Sequence, residues 1–466
     1  MTPAMRRTVL TVGVLFVASA SAQPLSPADV RTSVERHHPT VAAAVAREEA
    51  ARAELRAARG GFDPQLRLYG SRRAGGYYEL TRLDVELRQP TPLWGAEVWA
   101  GYRRGAGAQD RYPTYYADET LSGGEVRAGL RVPLWREGPL DARRAARERA
   151  RLAADAAGQR RRATALDLRR KGLVAYWKWV AAGRQLRVAS ALLQLASARR
   201  GQVERRAASG VVPPIEVLEA ERSLLRRRST LVTVRRAFEG ASLALSLYLR
   251  DDRGAPLRPD EGRLPGELAL PSIEVDAGSA VQRALACHPR LRAARATVES
   301  RRVQRELARA RRGPQLDLSL QVSRDFGRGD ESLAGTVYEG GLRLAMPLGL
   351  RTARGELDGA EAALQAAEQE LRLREDVLAT EIRDVASAWA AARERFALAR
   401  ALAETTRRLA EAERRRFESG ATSLLVVNLR EQAAAEASIE VVEAARDLWI
   451  AAADWEALTW CEASED

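Results

Sequence analysis

The chain states one pattern twice. His38-Pro39 opens an Ala-, Arg- and Glu-rich run that ends at Gly61-Phe62-Asp63-Pro64-Gln65-Leu66. His288-Pro289 opens a matching run that ends at Arg312-Gly313-Pro314-Gln315-Leu316. Downstream, Val132-Pro133-Leu134 is answered by Met346-Pro347-Leu348 (347 − 133 = 214), and Ser209-Gly210 by Ser419-Gly420 (420 − 210 = 210). A long internal repeat restricts the fold to architectures built by duplication.

Within each repeat the apolar period changes. Residues 26–60 carry Ala42, Val45, Ala46, Glu49 and Ala53 at helical spacing, which predicts one helix ended by Gly60-Gly61 and Pro64. Alternation follows. Leu66 and Leu68 are flanked by Gln65 and Arg67; Leu83, Val85 and Leu87 by Arg82, Asp84, Glu86 and Arg88. Ala96, Val98, Ala100 and Tyr102 share a face, as do Val126, Ala128, Leu130 and Val132, opposite Glu97, Arg103, Arg127 and Arg131. Runs of about ten residues with one apolar and one polar face predict transmembrane β-strands; the same pattern also suits an amphipathic sheet in a soluble sandwich. Aromatic placement favours the membrane. Tyr69, Tyr77, Tyr78, Tyr102, Tyr112, Tyr115, Tyr116, Tyr338, Trp94, Trp99 and Trp135 fall in the two strand zones, as interfacial girdles require.

The helical period returns at about 138–208 and 353–419. Each run is near 70 residues, or about 100 Å at ~1.5 Å per residue. Each ends at a turn (Ser209-Gly210 to Pro214; Ser419-Gly420 to Ser423) and is followed by a return helix to about 249 and 459. The predicted organisation is a signal peptide at 1–22 and a first repeat at 23–249, with strand zone about 64–134 and long hairpin about 138–249. A Pro/Gly/Asp-rich linker at 250–275 follows, with one short strand at Glu267–Leu270. A second repeat occupies 276–460, with strand zone about 314–347 and hairpin about 353–459, and the tail is 461–466.

Arg6-Arg7, an apolar Val9–Ala20 and Ala20-Ser21-Ala22 form the signal segment. Export argues against a nucleic-acid partner despite the net charge of +13. Only Lys171 and Lys178 are lysines, and the arginines are interleaved with acids along helices. Cys287 and Cys461 are the only cysteines; they could pair or stay apart, because sequence does not establish proximity. His37 and His38, and His288 beside Cys287, occupy equivalent positions. They read either as metal ligands or, more simply, as breaks within or ahead of a helix. No H-E-x-x-H, G-x-S-x-G, phosphate loop or C-x-x-C is present, so the reading is of a non-enzyme with no cofactor.

An open sheet edge in lipid leaves backbone groups unsatisfied, so strands this few in one chain require oligomerisation. At this point the residues resemble the TolC family of outer-membrane efflux channels over essentially the whole mature chain. The family's turn pattern, close to R-x-x-x-G-x-x-S-x-L-D-V-L-x-A-Q, is approached by Arg206, Gly210, Pro213, Ile215, Glu216, Val217, Leu218, Ala220 and Glu221. In the second repeat Arg416, Gly420, Ser423, Leu425 and Val427 match, and Asn428 and Leu429 depart. The resemblance implies a mixed membrane α/β fold: a duplicated helix–strand–long helical hairpin forming a trimeric outer-membrane β-barrel plus a periplasmic α-helical tunnel. It implies a homotrimer docked on a periplasmic adaptor (membrane fusion) protein, an inner-membrane pump and surrounding outer-membrane lipid. The channel would be the passive conduit of a tripartite efflux system; alternatives are the outer component of type I protein secretion and a periplasmic coiled-coil structural protein.

The candidate docking tip comprises Arg206, Gly210, Val211, Val212, Pro213, Glu216, Arg416, Gly420, Ala421, Thr422 and Ser423. Glu204, Glu216, Glu413 and Glu418 are candidate acid partners of the two arginines. Candidate pore-lining residues are Arg127, Arg131, Asp317 and Arg343. One departure stands out. Pro64 to Pro133 spans 69 residues and Pro314 to Pro347 spans 33, so the first repeat holds 36 more (69 − 33 = 36), with alternating runs at 80–89 and 96–104. Six strands per chain give 18 in a trimer (3 × 6 = 18) against the family's usual twelve; the alternative is an extra hairpin standing in the extracellular loops or folding beneath the barrel.

Overall fold

The computed structural model describes residues 23–75, 79–108, 119–138, 140–266, 269–346 and 348–461. The signal segment 1–22, Tyr77, Tyr78, Tyr112, Tyr115, Tyr116 and Pro347 lie outside the described residues, as does half of the short strand expected at Glu267–Leu270; Ala269 and Leu270 are irregular.

The single helix expected over 26–60 is two, α1 (Pro27–His37) and α2 (Pro39–Arg59). The cause is local. Pro39 lacks an N–H and pushes the preceding residue into extended backbone; His38 accordingly has φ −77° and ψ 123°. Its Nδ1 accepts the Thr40 N–H at 3.2 Å, capping α2. The second repeat does the same between α5 (Ala277–Cys287) and α6 (Pro289–Ala310), where His288 Nδ1 accepts the Arg290 N–H at 3.3 Å. The His-Pro dipeptides are helix starts, with proline at the first helical position. Cys287 and Cys461 are disulfide-bonded across 174 residues of chain. Among the described residues, no group of three His, Cys, Asp or Glu could hold a metal ion.

Six strands form one antiparallel sheet in chain order: β1 (Gln65–Arg73), β2 (Glu79–Pro90), β3 (Glu97–Ala108), β4 (Glu125–Pro133), β5 (Gln315–Asp325) and β6 (Thr336–Ala345). The two repeats meet at β4–β5, where Ala128 pairs with Val322 and Leu130 with Leu320. The helical runs are α3 (Ala142–Ala208), α4 (Pro214–Ser246), α7 (Arg351–Glu418) and α8 (Leu424–Leu458). None of the described helices is long and apolar enough to cross a membrane.

Two compact units result, to which α3, α7 and α8 each contribute separate segments. One comprises Val34–Arg170, Ile273–Ala391 and the chain from Ala451, and contains the sheet. Its core sets Ala280 and Ala284 of α5 and Leu291 of α6 against Leu378 and Ile382 of α7 and Trp455 and Leu458 of α8. Each fully buried Leu or Ile there contributes roughly 1.5–3 kcal/mol. The other comprises the chain up to Ser33, Lys171–Ser272 and Ala392–Ile450. There Trp177 stacks on Trp449 with ring centroids 4.3 Å apart, and the buried Tyr176 hydroxyl donates to the Leu25 carbonyl at 2.7 Å.

Candidate functional site

The sheet has the burial pattern of a soluble sheet turned inside out. Its register puts Leu66, Leu68, Leu83, Val85, Leu87, Val98, Ala100, Val126, Leu130, Leu318, Leu320, Leu342 and Leu344 on one face. That apolar face is bare: Leu68 is 72% exposed, Leu342 70% and Tyr338 81%. The opposite face carries charge, and there carboxylates are buried: Asp84 is 6% exposed, Glu97 7% and Asp317 5%. They are held by ion pairs between strands. Asp84 accepts from Arg82, from Arg103 at 2.8 Å and from Arg127 at 3.2 Å. Arg131 donates to Asp317 at 3.2 Å, and Arg143 at the start of α3 to Glu97 at 2.7 Å. Of the residues predicted to line a pore, Arg127, Arg131 and Asp317 lie in this network, and Arg343 faces Asp317 across β5–β6.

The two hairpin turns have one construction. Gly210 at φ +75° and Gly420 at φ +76° adopt left-handed backbone that L side chains resist. Val211 N–H then donates to the Arg206 carbonyl at 2.9 Å, and Ala421 N–H to the Arg416 carbonyl at 2.8 Å. This is the reversal that closes a helix C-terminus. Below the turns, Val203, Ala220 and Leu424 are buried with Val212, Val217 and Phe417 against them, while Val211, Pro213, Ala421 and Ser423 are exposed and Glu216 and Thr422 half-buried. The acid partners expected for the two arginines are met once. Arg416 pairs with Glu413 at 3.4 Å, but the Arg206 guanidinium lies over the Phe417 ring at 5.7 Å, and Glu204 pairs with Arg200.

Eleven residues past Gly420 is a group that the sequence reading missed. Glu431 on α8 is 3% exposed and binds one arginine from each of the other three helices. Arg199 of α3 grips it with two 2.6 Å hydrogen bonds; Arg414 of α7 donates at 3.0 Å; Arg227 of α4 stands 3.5 Å away. Burial would raise this carboxyl, yet hydrogen bonds and charge from Arg199 and Arg414 hold it below the usual range. One carboxylate among three guanidiniums ties all four helices of the two hairpins. Its only sequence signal is position: Glu431 fills the last place of the turn pattern, as Glu221 does in the first repeat. Glu221 is exposed.

Residues 31–249 and 280–459 match the family described as outer membrane efflux protein. Solved structures with the same fold include CusC, 16% identical over 99% of each chain at a TM-score of 0.67. The outer membrane channel CmeC of Campylobacter jejuni is 14% identical over 100% of this chain and 96% of its own, at 0.65. The open state of the MtrE outer membrane channel of Neisseria gonorrhoeae is 16% identical over 98% and 97%, at 0.64. A comparison with curated proteins gives no match.

Proposed function

Since the chain belongs to the outer membrane efflux protein family, and so resides in the outer membrane, we propose that three copies close into a channel that is the passive exit conduit of a tripartite efflux system. The observation that carries this reading is the inverted sheet. Its bare leucine face suits hydrocarbon, and its ion-paired face suits a water-filled lumen. Arg127, Arg131, Asp317 and Arg343 line that lumen. The helical hairpins form the periplasmic tunnel, and the exposed turns around Gly210 and Gly420 dock on a periplasmic adaptor that connects to an inner-membrane pump. No residue of the channel does chemistry; the pump supplies the energy.

The test is reconstitution in planar bilayers together with photocrosslinkers at Val211 and Ala421 in intact cells. Stepwise ion conductance and adducts with a periplasmic adaptor are expected. A protein that stays monomeric and gives no conductance refutes the channel. Conductance with adducts only to a protein-secretion adaptor moves the protein to type I secretion.

A further inference from the structure

We propose that the barrel wall has eighteen strands, six from each copy, with β2 and β3 part of the lipid-facing wall. The inference rests on the trimeric channel proposed above and fixes the width of its pore. β2 and β3 are the strands added by the 36 extra residues of the first repeat, and the structure does not set them aside. They stand between β1 and β4, paired on both sides: β2 with β1 over Leu80–Arg88, and β3 with β4 over Glu97–Arg103. Removing them from the wall would strip β1 of its partner along its whole length.

Three further observations hold the hairpin in place. Its faces agree with the rest of the sheet: Leu83, Val85 and Leu87, then Val98 and Ala100, continue the apolar face from Leu66 and Leu68 to Val126 and Leu130. A one-residue slip would have put them in the lumen. Its charges complete the polar network: Asp84, Glu86 and Glu97 are the partners of Arg127 and Arg131 on β4 and of Arg143 on α3, and Arg103 stands 3.9 Å from Glu125 of β4. Its turn is docked and not free. A Cβ on Gly95 would lie 3.0 Å from the Glu137 carbonyl and 3.2 Å from Pro133, and one on Gly138 would meet the Trp94 indole at 2.6 Å. The hairpin loop therefore sits on the corner from β4 to α3.

The sheet then ends in two free edges, β1 and β6. Six alternating strands make these edges antiparallel, so β6 of one copy can pair with β1 of the next and the ring closes without a lipid-exposed edge. With strands ~4.8 Å apart and tilted ~40°, eighteen give a wall about 36 Å across the backbone, against about 24 Å for twelve. The cross-section is roughly twice as large.

The experiment combines single-cysteine labelling of intact cells with cryo-electron microscopy of the extracted protein. Both native cysteines are bonded to each other, so each new thiol reports alone. Leu83→Cys, Leu87→Cys and Val98→Cys are expected to react with a membrane-impermeant maleimide at least tenfold more slowly than Ser319→Cys on the polar face. Images of the unsubstituted protein are expected to show a threefold wall of eighteen strands. A threefold particle with a twelve-strand wall, or cysteines at 83, 87 and 98 that label as fast as Ser319→Cys, overturns the inference and leaves the channel standing. A particle without a barrel overturns the channel itself.

Discussion

Replacing Glu431 by alanine tests whether charge holds the two helical hairpins of one chain together. The carboxylate is 3% exposed, and its removal leaves the Arg199 and Arg227 side chains, 9% and 12% exposed, with no counter-charge. Breaking a buried ion pair costs about 3–5 kcal/mol, most of it from the stranded charge. Arg414 is 43% exposed and rehydrates, so its share is small. The expected loss is about 3 kcal/mol of local stability, confined to the four-helix region. Amide hydrogen exchange read by mass spectrometry is the suitable assay, because it measures opening segment by segment. Peptides covering 195–203 and 424–435 should exchange roughly 100-fold faster, since each 1.4 kcal/mol is a factor of ten. Peptides from the sheet should not change. Glu221→Ala, at the equivalent exposed position, should shift stability by no more than about 0.5 kcal/mol. A change below threefold at 195–203 in Glu431→Ala would refute the reasoning.

Three other outcomes are expected. Burial, with the nearby Arg290 charge, pushes His288 down to about 4; a group depressed in the fold stabilises above its unfolded value of about 6.5, and that contribution fades as pH falls toward 4. Stability near α6 should drop by up to about 3 kcal/mol across that window, and His288→Asn should flatten the pH profile of α6 amide exchange. Cys461→Ser removes a crosslink that closes 174 residues and should cost ~2–5 kcal/mol; an unchanged thermal transition in non-reducing buffer would contradict this. Val85→Arg puts a cation on the apolar face and should cost about 2–4 kcal/mol near mid-bilayer, read as loss of the trimer on native gels, whereas Ser319→Arg on the polar face should be tolerated.

The strands were legible because period two is hard to mimic: runs such as the nine residues Glu125–Pro133 leave no helical face, and every alternating run of the first strand zone became a strand. The hairpin turns were legible from Gly210 and Gly420, where the backbone needs glycine. At His38 the two readings conflict: Ala and Glu spacing carries through Pro39 unchanged and suggests one helix over 26–60, whereas the His-Pro dipeptide reads as a break, and the proline ring decides for the break. Glu431 was invisible for a different reason. Helices this rich in Arg and Glu place acids beside bases everywhere, and only packing distinguishes Glu431 from Glu404, an exposed carboxylate that pairs along its own helix. The disulfide likewise depends on the C-terminal end of α8 returning to α5, which spacing does not encode.

The charge cluster at Glu431 belongs to only one of the two contacts that a duplicated chain makes. Shifted by the 210-residue repeat, Glu431 becomes Glu221, but Arg199 becomes Leu409, Arg227 becomes Ala437 and Arg414 becomes Glu204. In a ring of six alternating hairpins, three seams would fall within chains and three between them. The first three are bolted by a carboxylate among arginines; at the second three the repeat sets Leu409, Ala437 and Glu204 where the arginines would stand. Such a ring would part first at the three seams between chains and hold at the three within them.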